Sequence, residues 1–224
     1  MSGPSTKPVA HPAVFSDRVL DAVVECLDEL HYHAERYPLR VLDPFAGIGK
    51  VHSLPRILSL GVELEPEWAN QHRQTIVGDS RFLPFPSGFF DGVITSPAYG
   101  NRMADHHDAK DDSRRITYRH TLGRELTDGN SGKMQWGLNY RTLHRRVWAE
   151  CRRVTTDDGF FILNISDHVR AGVVVPVSEW HWKTLMTLGF KLVKEINVET
   201  PRMRFGQNHD ARVTHEHVWL FVKS

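Results

Sequence analysis

The chain has 224 residues, enough for one domain of ordinary size with a substantial core. Apolar residues make up 40% and charged residues 25%, which excludes a disordered chain, and no apolar run is long enough to span a bilayer. The net charge of +1 argues against a surface coated with basic residues, so affinity for nucleic acid would have to come from local clusters.

Residues 1–10 are rich in Pro, Ser and Gly and read as a loose arm. The N-terminal stretch lacks a charged-then-apolar signal pattern, so a cytoplasmic protein is expected. Ser16-Asp17 is an N-cap for an amphipathic helix over 17–34, where Val19, Leu20, Val23, Val24, Leu27 and Leu30 recur at helical spacing. Residues 39–45 form a short apolar strand that ends at Gly47-x-Gly49, and 57–64 form a second strand. Pro66 opens a helix, where its missing N–H costs little. Residues 75–79 and 89–95 are the third and fourth strands, with a Leu83-Pro84-Phe85-Pro86 loop between them.

Residues 100–138 break the rhythm, being polar and without an apolar period. A connection this long is usually functional. A helix from about Tyr140 to Thr155 follows, then a turn at Asp157-Asp158-Gly159 and a fifth strand over 160–165. Trp180, Trp182, Leu185, Met186 and Leu188 mark another helix, closed by Gly189. Residues 190–199 and 215–222 read as a final hairpin joined by a basic loop. Strands alternating with helices predict an α/β domain spanning 1–224, its mostly parallel sheet covered on both faces, with an antiparallel addition at the C-terminus. Cys26 and Cys151 are too few for a disulfide framework, have no Cys-x-x-Cys spacing and read as buried thiols.

Two strand ends carry the chemistry. In open α/β sheets ligands bind at the carboxyl ends of strands. At the first end, Gly47 and Gly49 let the backbone approach a ligand closely, although alone such a pair is equally well a packing turn. Glu63, twenty residues after Asp43, suits a ribose diol, and Asp79 suits an exocyclic amine; alone, each acid is equally well a helix cap or a solvated loop residue. A third glycine for a dinucleotide is absent, since position 52 is His. Asp43 would repel a pyrophosphate and fits a cofactor with a cationic end. At the second end, an apolar strand stops abruptly in Ser96-Pro97-Ala98-Tyr99.

Asp43-Pro44-Phe45-Ala46-Gly47-Ile48-Gly49 together with Ser96-Pro97-Ala98-Tyr99 resembles the amino-group DNA methyltransferases, which methylate cytosine N4 or adenine N6. His11-Pro12-Ala13-x-Phe15 is similar to their accessory cofactor motif. The resemblance implies a doubly wound, seven-stranded Rossmann-like sheet and S-adenosylmethionine as methyl donor. It places Asp43, Pro44, Phe45, Gly47 and Gly49 around the methionine part, with His11, Pro12 and Phe15 beside them. Glu63, in preference to Glu65, would hold the ribose, and Asp79 and Ser80 the adenine. The family usually has Pro where this chain has Ala98, which restores an N–H and loosens the turn.

The resemblance also implies roles for Ser96, Pro97 and Tyr99. The Ser96 hydroxyl and the Pro97 carbonyl would accept the two protons of a flipped base's amine, and Tyr99 would stack on the base. Ser at the first position leans towards cytosine N4, with adenine N6 as the alternative; RNA or protein-amide methylation, or a degenerate cradle without activity, are further options. Residues 100–154 carry twelve Lys and Arg against seven Asp and Glu. Arg102, Arg114, Arg115, Arg119 and Arg124, with Arg202 and Arg204 as a second wall, would meet phosphates or guanine edges, making 100–138 a target-recognition segment. This region is short, which fits a short target sequence or a homodimer, and a cognate restriction nuclease in a bacterial or viral host belongs to the same picture. His106-His107-Asp108 lacks regular ligand spacing, so no metal is expected.

Overall fold

A computed structural model describes residues 9–11, 13, 15–30, 38–100, 118–200 and 213–224, and every count and absence below refers to these. Pro12, Arg102, Arg114, Arg115, Arg202, Arg204 and His106–Asp108, with the roles expected of them, lie outside the described residues.

Helix α1 spans Asp17–Glu29, and the Ser16 hydroxyl accepts from the Val19 N–H at its start, as the sequence predicts. Its described part ends earlier than expected, because the Leu30 N–H turns back to the Leu27 carbonyl. Strand β1 (Leu39–Asp43) stops two residues short of the predicted end, since Pro44 has no N–H to extend a ladder. Strand β2 (Ile57–Glu63) lies beside it in register, Leu39 opposite Ile57 and Asp43 opposite Gly61. Helix α2 (Pro66–Ala69) is a single turn that leads to β3 (Thr75–Val77). Strand β4 is Phe90–Thr95.

The stretch expected to be irregular is partly built. It holds α3 (Tyr118–Leu122) and a 3-10 turn at Ser131–Lys133. The apolar period is missing because burial comes from two separated residues, Tyr118 and Leu126, packed on Trp68. Helix α4 runs Leu138–Val154 and passes directly into β5 (Thr155–Ile165). The predicted turn at 157–159 is a bulge inside this strand: Thr155 faces Phe90 of β4, while Phe160 already faces Gly92. A short hairpin not foreseen from sequence follows, β6 (His168–Arg170) and β7 (Val173–Val175). Helix α5 (Val177–Thr187) ends at Gly189, whose φ of 83° needs glycine. The last strands are β8 (Phe190–Glu199) and β9 (His215–Lys223).

The main sheet has seven strands in the order β3-β2-β1-β4-β5-β9-β8. The first five are parallel, and β9 is antiparallel to both of its neighbours. The antiparallel strand is therefore interior, not an edge. Both faces are covered, which a parallel sheet requires. On β5, Phe160 and Ile162 pack under α1, while Phe161, Leu163 and Ile165 pack under α4 and α5. Cys26 and Cys151 are both buried in these layers, and burial pushes the Cys26 thiol up to about 12. No helix is long and apolar enough to cross a membrane.

Every residue of β4 is buried, and a Cβ on Gly92 would stand 2.4 Å from Cζ of Phe160. Gly92→Ala should therefore lower stability by about 1–3 kcal/mol through overpacking. Denaturant unfolding should show an earlier midpoint with an unchanged slope.

Candidate active site

The order of strands reverses between β1 and β4, with β2 on one side and β5 on the other. Loops leaving such neighbours diverge and open a crevice at their carboxyl ends. A hydrogen bond joins the two ends: the Thr95 hydroxyl donates to Asp43 Oδ1 at 2.8 Å, and the Phe45 N–H donates to the same oxygen at 3.1 Å. Asp43 is 1% exposed, and burial raises its carboxyl to about 7. It lines neither of the two cavities described below, so it fixes the crevice from beneath.

The cavity beyond β2 and β3 has a volume of about 70 Å³ and is lined by His11, Pro44, Phe45, Glu63, Asp79 and Ser80 among others. Six residues expected from sequence to hold one ligand therefore meet on one wall. Glu63 accepts the Gly47 N–H on Oε2 and the Glu65 N–H on Oε1, both at 2.9 Å. Burial raises its carboxyl to about 7, against the pull of these two amides and that of Leu64. The two carboxyl oxygens have four lone pairs between them, so three amides leave one for a further donor. Asp79 forms an ion pair with Arg81 and accepts its backbone N–H as well. Ser80 donates to the Pro44 carbonyl at 2.5 Å, tying the loop after β3 to the turn after β1.

Gly47 has φ of 50°, and a Cβ there would stand 3.2 Å from the His11 ring. His11 packs edge-on against Trp68 at 4.4 Å and lies near Tyr118 at 5.2 Å, and burial lowers its imidazole to about 4. Gly49 (φ of 80°) lines neither cavity; it accommodates His52 and His72 instead.

The second cavity, about 360 Å³, shares His11, Phe45, Ser96, Ala98 and Tyr118 with the first and adds Phe15, Gly47, Pro97 and Tyr99. The two are one continuous cleft. Its far wall comes from residues not anticipated from sequence: Asn164 at the end of β5, Asp167, His168, and Glu216 at the start of β9. An antiparallel strand begins where its parallel neighbours end, which is why Glu216 reaches this edge. The Asn164 amide donates towards Ser96 Oγ (3.1 Å), Tyr99 Oη (3.2 Å) and Glu216 Oε2 (2.9 Å). Tyr99 also donates to Glu216 Oε2 at 3.2 Å, and its hydroxyl lies 3.3 Å from Ser96 Oγ. Burial and the neighbouring Glu216 carboxylate raise the Tyr99 phenol, which stays neutral.

Ala98 is held from below. Trp148 Nε1 donates to His181 Nδ1 at 2.9 Å, which leaves the proton of the neutral ring on Nε2. That nitrogen lies 2.9 Å from the Tyr140 hydroxyl, and Tyr140 donates onward to the Ala98 carbonyl at 2.7 Å. Burial, reinforced by nearby His144, drives His181 well below its ordinary value, consistent with this neutral ring. A second tie runs from the Trp136 N–H to the Gly100 carbonyl at 2.7 Å. The turn that lacks a second proline is thus fixed by α4, α5 and the segment before α4.

Residues 118–138 lie over the first cavity, which Tyr118 and residues 129–132 help to line. Their anchor is Glu65, fully buried at 0% exposure. Its Oε1 accepts from the Thr127 N–H and the Asn130 amide, and its Oε2 from Arg124 and the Thr127 hydroxyl, all within 2.9 Å. Arg124 reaches Glu67 as well. The expectation that Arg124 faces nucleic acid is corrected here, because its charge is spent on two carboxylates. Arg119 pairs with Glu125 at 2.6 Å on the exposed side of α3. Glu65 is not a ribose ligand but a latch; from sequence, only its place after the second strand gave a sign.

A Gln at position 65 would replace one acceptor oxygen by a donor, leaving two of the four donors facing it unpaired. Each such loss to a charged group costs about 1.5–3 kcal/mol. Glu65→Gln should speed proteolytic cleavage within residues 123–130 and weaken ligand binding in the first cavity by about 10-fold. Limited proteolysis and calorimetry read the two effects.

Among solved structures, the fold is similar to the PH0226 protein from Pyrococcus horikoshii OT3, at 15% identity and TM-score 0.51, covering 93% of this chain and 94% of that one. It is similar to the YcgJ protein from Bacillus subtilis at 16% identity and TM-score 0.52, covering 89% and 98%. Magnesium protoporphyrin IX methyltransferase from Synechocystis PCC 6803, solved with bound SAM, matches at 13% identity and TM-score 0.51, covering 92% and 80%. At these identities the likeness speaks for the fold alone. No curated protein matches this sequence. Residues 90–224, from β4 through the Ser96–Tyr99 turn to the end of β9, match the model of the DNA methylase family, N6_N4_Mtase, so the chain belongs to that family.

Proposed function

We propose that this chain transfers a methyl group to the exocyclic N4 amine of a cytosine flipped out of duplex DNA. The observation that carries the reading is the continuity of the cleft: the Ser96–Tyr99 turn opens into the same space as Gly47 and Glu63. The methyl donor is S-adenosylmethionine, which supplies an electrophilic sulfonium methyl when bound. The residues present fit it. Gly47 leaves the cradle free of a Cβ, Glu63 keeps a lone pair for a ribose hydroxyl, and Asp79 faces the cavity for an adenine amine.

An exocyclic amine is a poor nucleophile because its lone pair is delocalised into the ring. Ser96 Oγ accepts a proton from Asn164, which leaves its other lone pair to accept an N–H of the target amine. A second acceptor on the Pro97 carbonyl would favour a pyramidal nitrogen with its lone pair restored. Tyr99 is anchored at its hydroxyl, so its ring is pre-positioned to stack on the base without losing further rotamer freedom. Fixing the amine within this rigid turn supplies rate through orientation. Ser at position 96 supports cytosine over adenine, and the 101–117 and 201–212 segments carry the arginines proposed to meet the DNA backbone.

Incubation with labelled S-adenosylmethionine and unmethylated duplex DNA, RNA or protein, followed by digestion, tests the reading. Label should appear in N4-methylcytosine. Label in N6-methyladenine would replace the target base, and label confined to RNA or protein would overturn the DNA assignment. Ser96→Ala should slow transfer by about 10²-fold, as loss of one pre-positioned hydrogen-bonding group does, with cofactor affinity unchanged.

Glu63 adds a pH dependence. Its carboxyl is raised to about 7, and the ionised form is the better acceptor for a diol. Cofactor binding should therefore tighten as pH rises through 7. From pH 6 to pH 8 the gain should be about 10-fold, measured by calorimetry, and Glu63→Gln should bind weakly with no such slope.

A further inference from the structure

A methylated amine must lose a proton, and a serine hydroxyl is too weak a base to keep it. We infer that Glu216 is the terminal proton acceptor of the reaction, reached from the amine through Ser96 and Tyr99; the inference rests on the amino-methyltransferase reading above. The cluster has a direction that chemistry imposes. An ionised carboxylate only accepts. The Asn164 group facing Glu216 Oε2 at 2.9 Å must then be its NH₂, and the Tyr99 hydroxyl at 3.2 Å from the same oxygen must point its proton there. With the Tyr99 proton so placed, the Tyr99 oxygen is free to accept, and the Ser96 hydroxyl 3.3 Å away points towards it. The second Asn164 proton falls on Ser96 Oγ at 3.1 Å. All four protons run towards Glu216, and one lone pair of Ser96 is left facing the cleft.

That ordering defines a path that balances. When the amine nitrogen forms its bond to the methyl carbon, the carbon–sulfur bond breaks and its electron pair stays on sulfur. The nitrogen then carries an excess proton. It passes to Ser96 Oγ as the Ser96 proton passes to Tyr99 Oη and the Tyr99 proton to Glu216. The neutral methylated amine and a carboxylic acid remain, and the acid returns its proton to water. Glu216 is part-exposed in the cleft wall, so this last exchange has a route. Asn164 has no proton to relay in this scheme and acts as a positioning residue. Asp167, whose Oδ1 is held by the Ser178 N–H, lines the same wall but has no place in this chain of hydroxyls.

The test compares single-turnover methylation of unmethylated genomic duplex DNA by the full chain and its variants. Glu216→Gln keeps an oxygen that accepts from both Tyr99 and Asn164, so it preserves the geometry and removes only the basicity. Transfer should fall by about 10²-fold or more, the scale of a lost general base, while cofactor affinity by calorimetry stays within twofold. Glu216→Asp should recover part of the rate, and added formate should accelerate Glu216→Ala. A Glu216→Gln variant as fast as the unaltered protein, or a Glu216→Ala variant deaf to formate, overturns the assignment. If the unaltered protein labels no DNA, the functional reading itself fails and the proton path falls with it; loss confined to the variants concerns Glu216 alone.

Discussion

A buried carboxylate is tolerated only when donors surround it, and three of them organise this molecule. Asp43, Glu63 and Glu65 follow one another along the carboxyl edge of β1 and β2, each nearly or fully inaccessible. Asp43 gathers the Thr95 hydroxyl and the Phe45 amide, which sets the gap between β1 and β4. Glu63 gathers the Gly47 and Glu65 amides, which curls the turn after β1 into a cradle. Glu65 gathers donors from residues 124–130, which seats the segment above. The crevice is thus shaped by buried carboxyl groups and the donors they gather.

Much of this was legible in the sequence. Alternation of strands and helices gave the layers, and Gly47 with the acids at 43, 63 and 79 marked the carboxyl edge. What stayed hidden depended on contacts distant in the chain. Tyr118 and Leu126 are too sparse to show a period, yet both bury against Trp68. Asp43 looked like a ligand by its motif, and only the geometry shows its Oδ1 held by both Thr95 and Phe45. Glu216 sits between two histidines at the start of β9, and its importance depends on that strand inserting beside β5, which no local pattern states.

The departure at Ala98 shows how rigidity lost in one place is supplied in another. Proline restricts a turn through its ring. Here a carbonyl is pinned by Tyr140, whose own proton is directed by His181 and Trp148. The restraint has moved from the turn into the core, where close packing keeps each donor in place.

Strand β9 enters the sheet antiparallel between β5 and β8, and the backbone of Thr200 bonds to Thr214 just before it does so. The hairpin thus closes its ladder before the chain leaves for residues 201–212. A change of length in that connection adds only about 0.6 kcal/mol of closure entropy per doubling and breaks none of the pairing that carries Glu216. Descendants of such a chain could exchange that connection wholesale while keeping Asn164, Tyr99 and Glu216 bonded to one another.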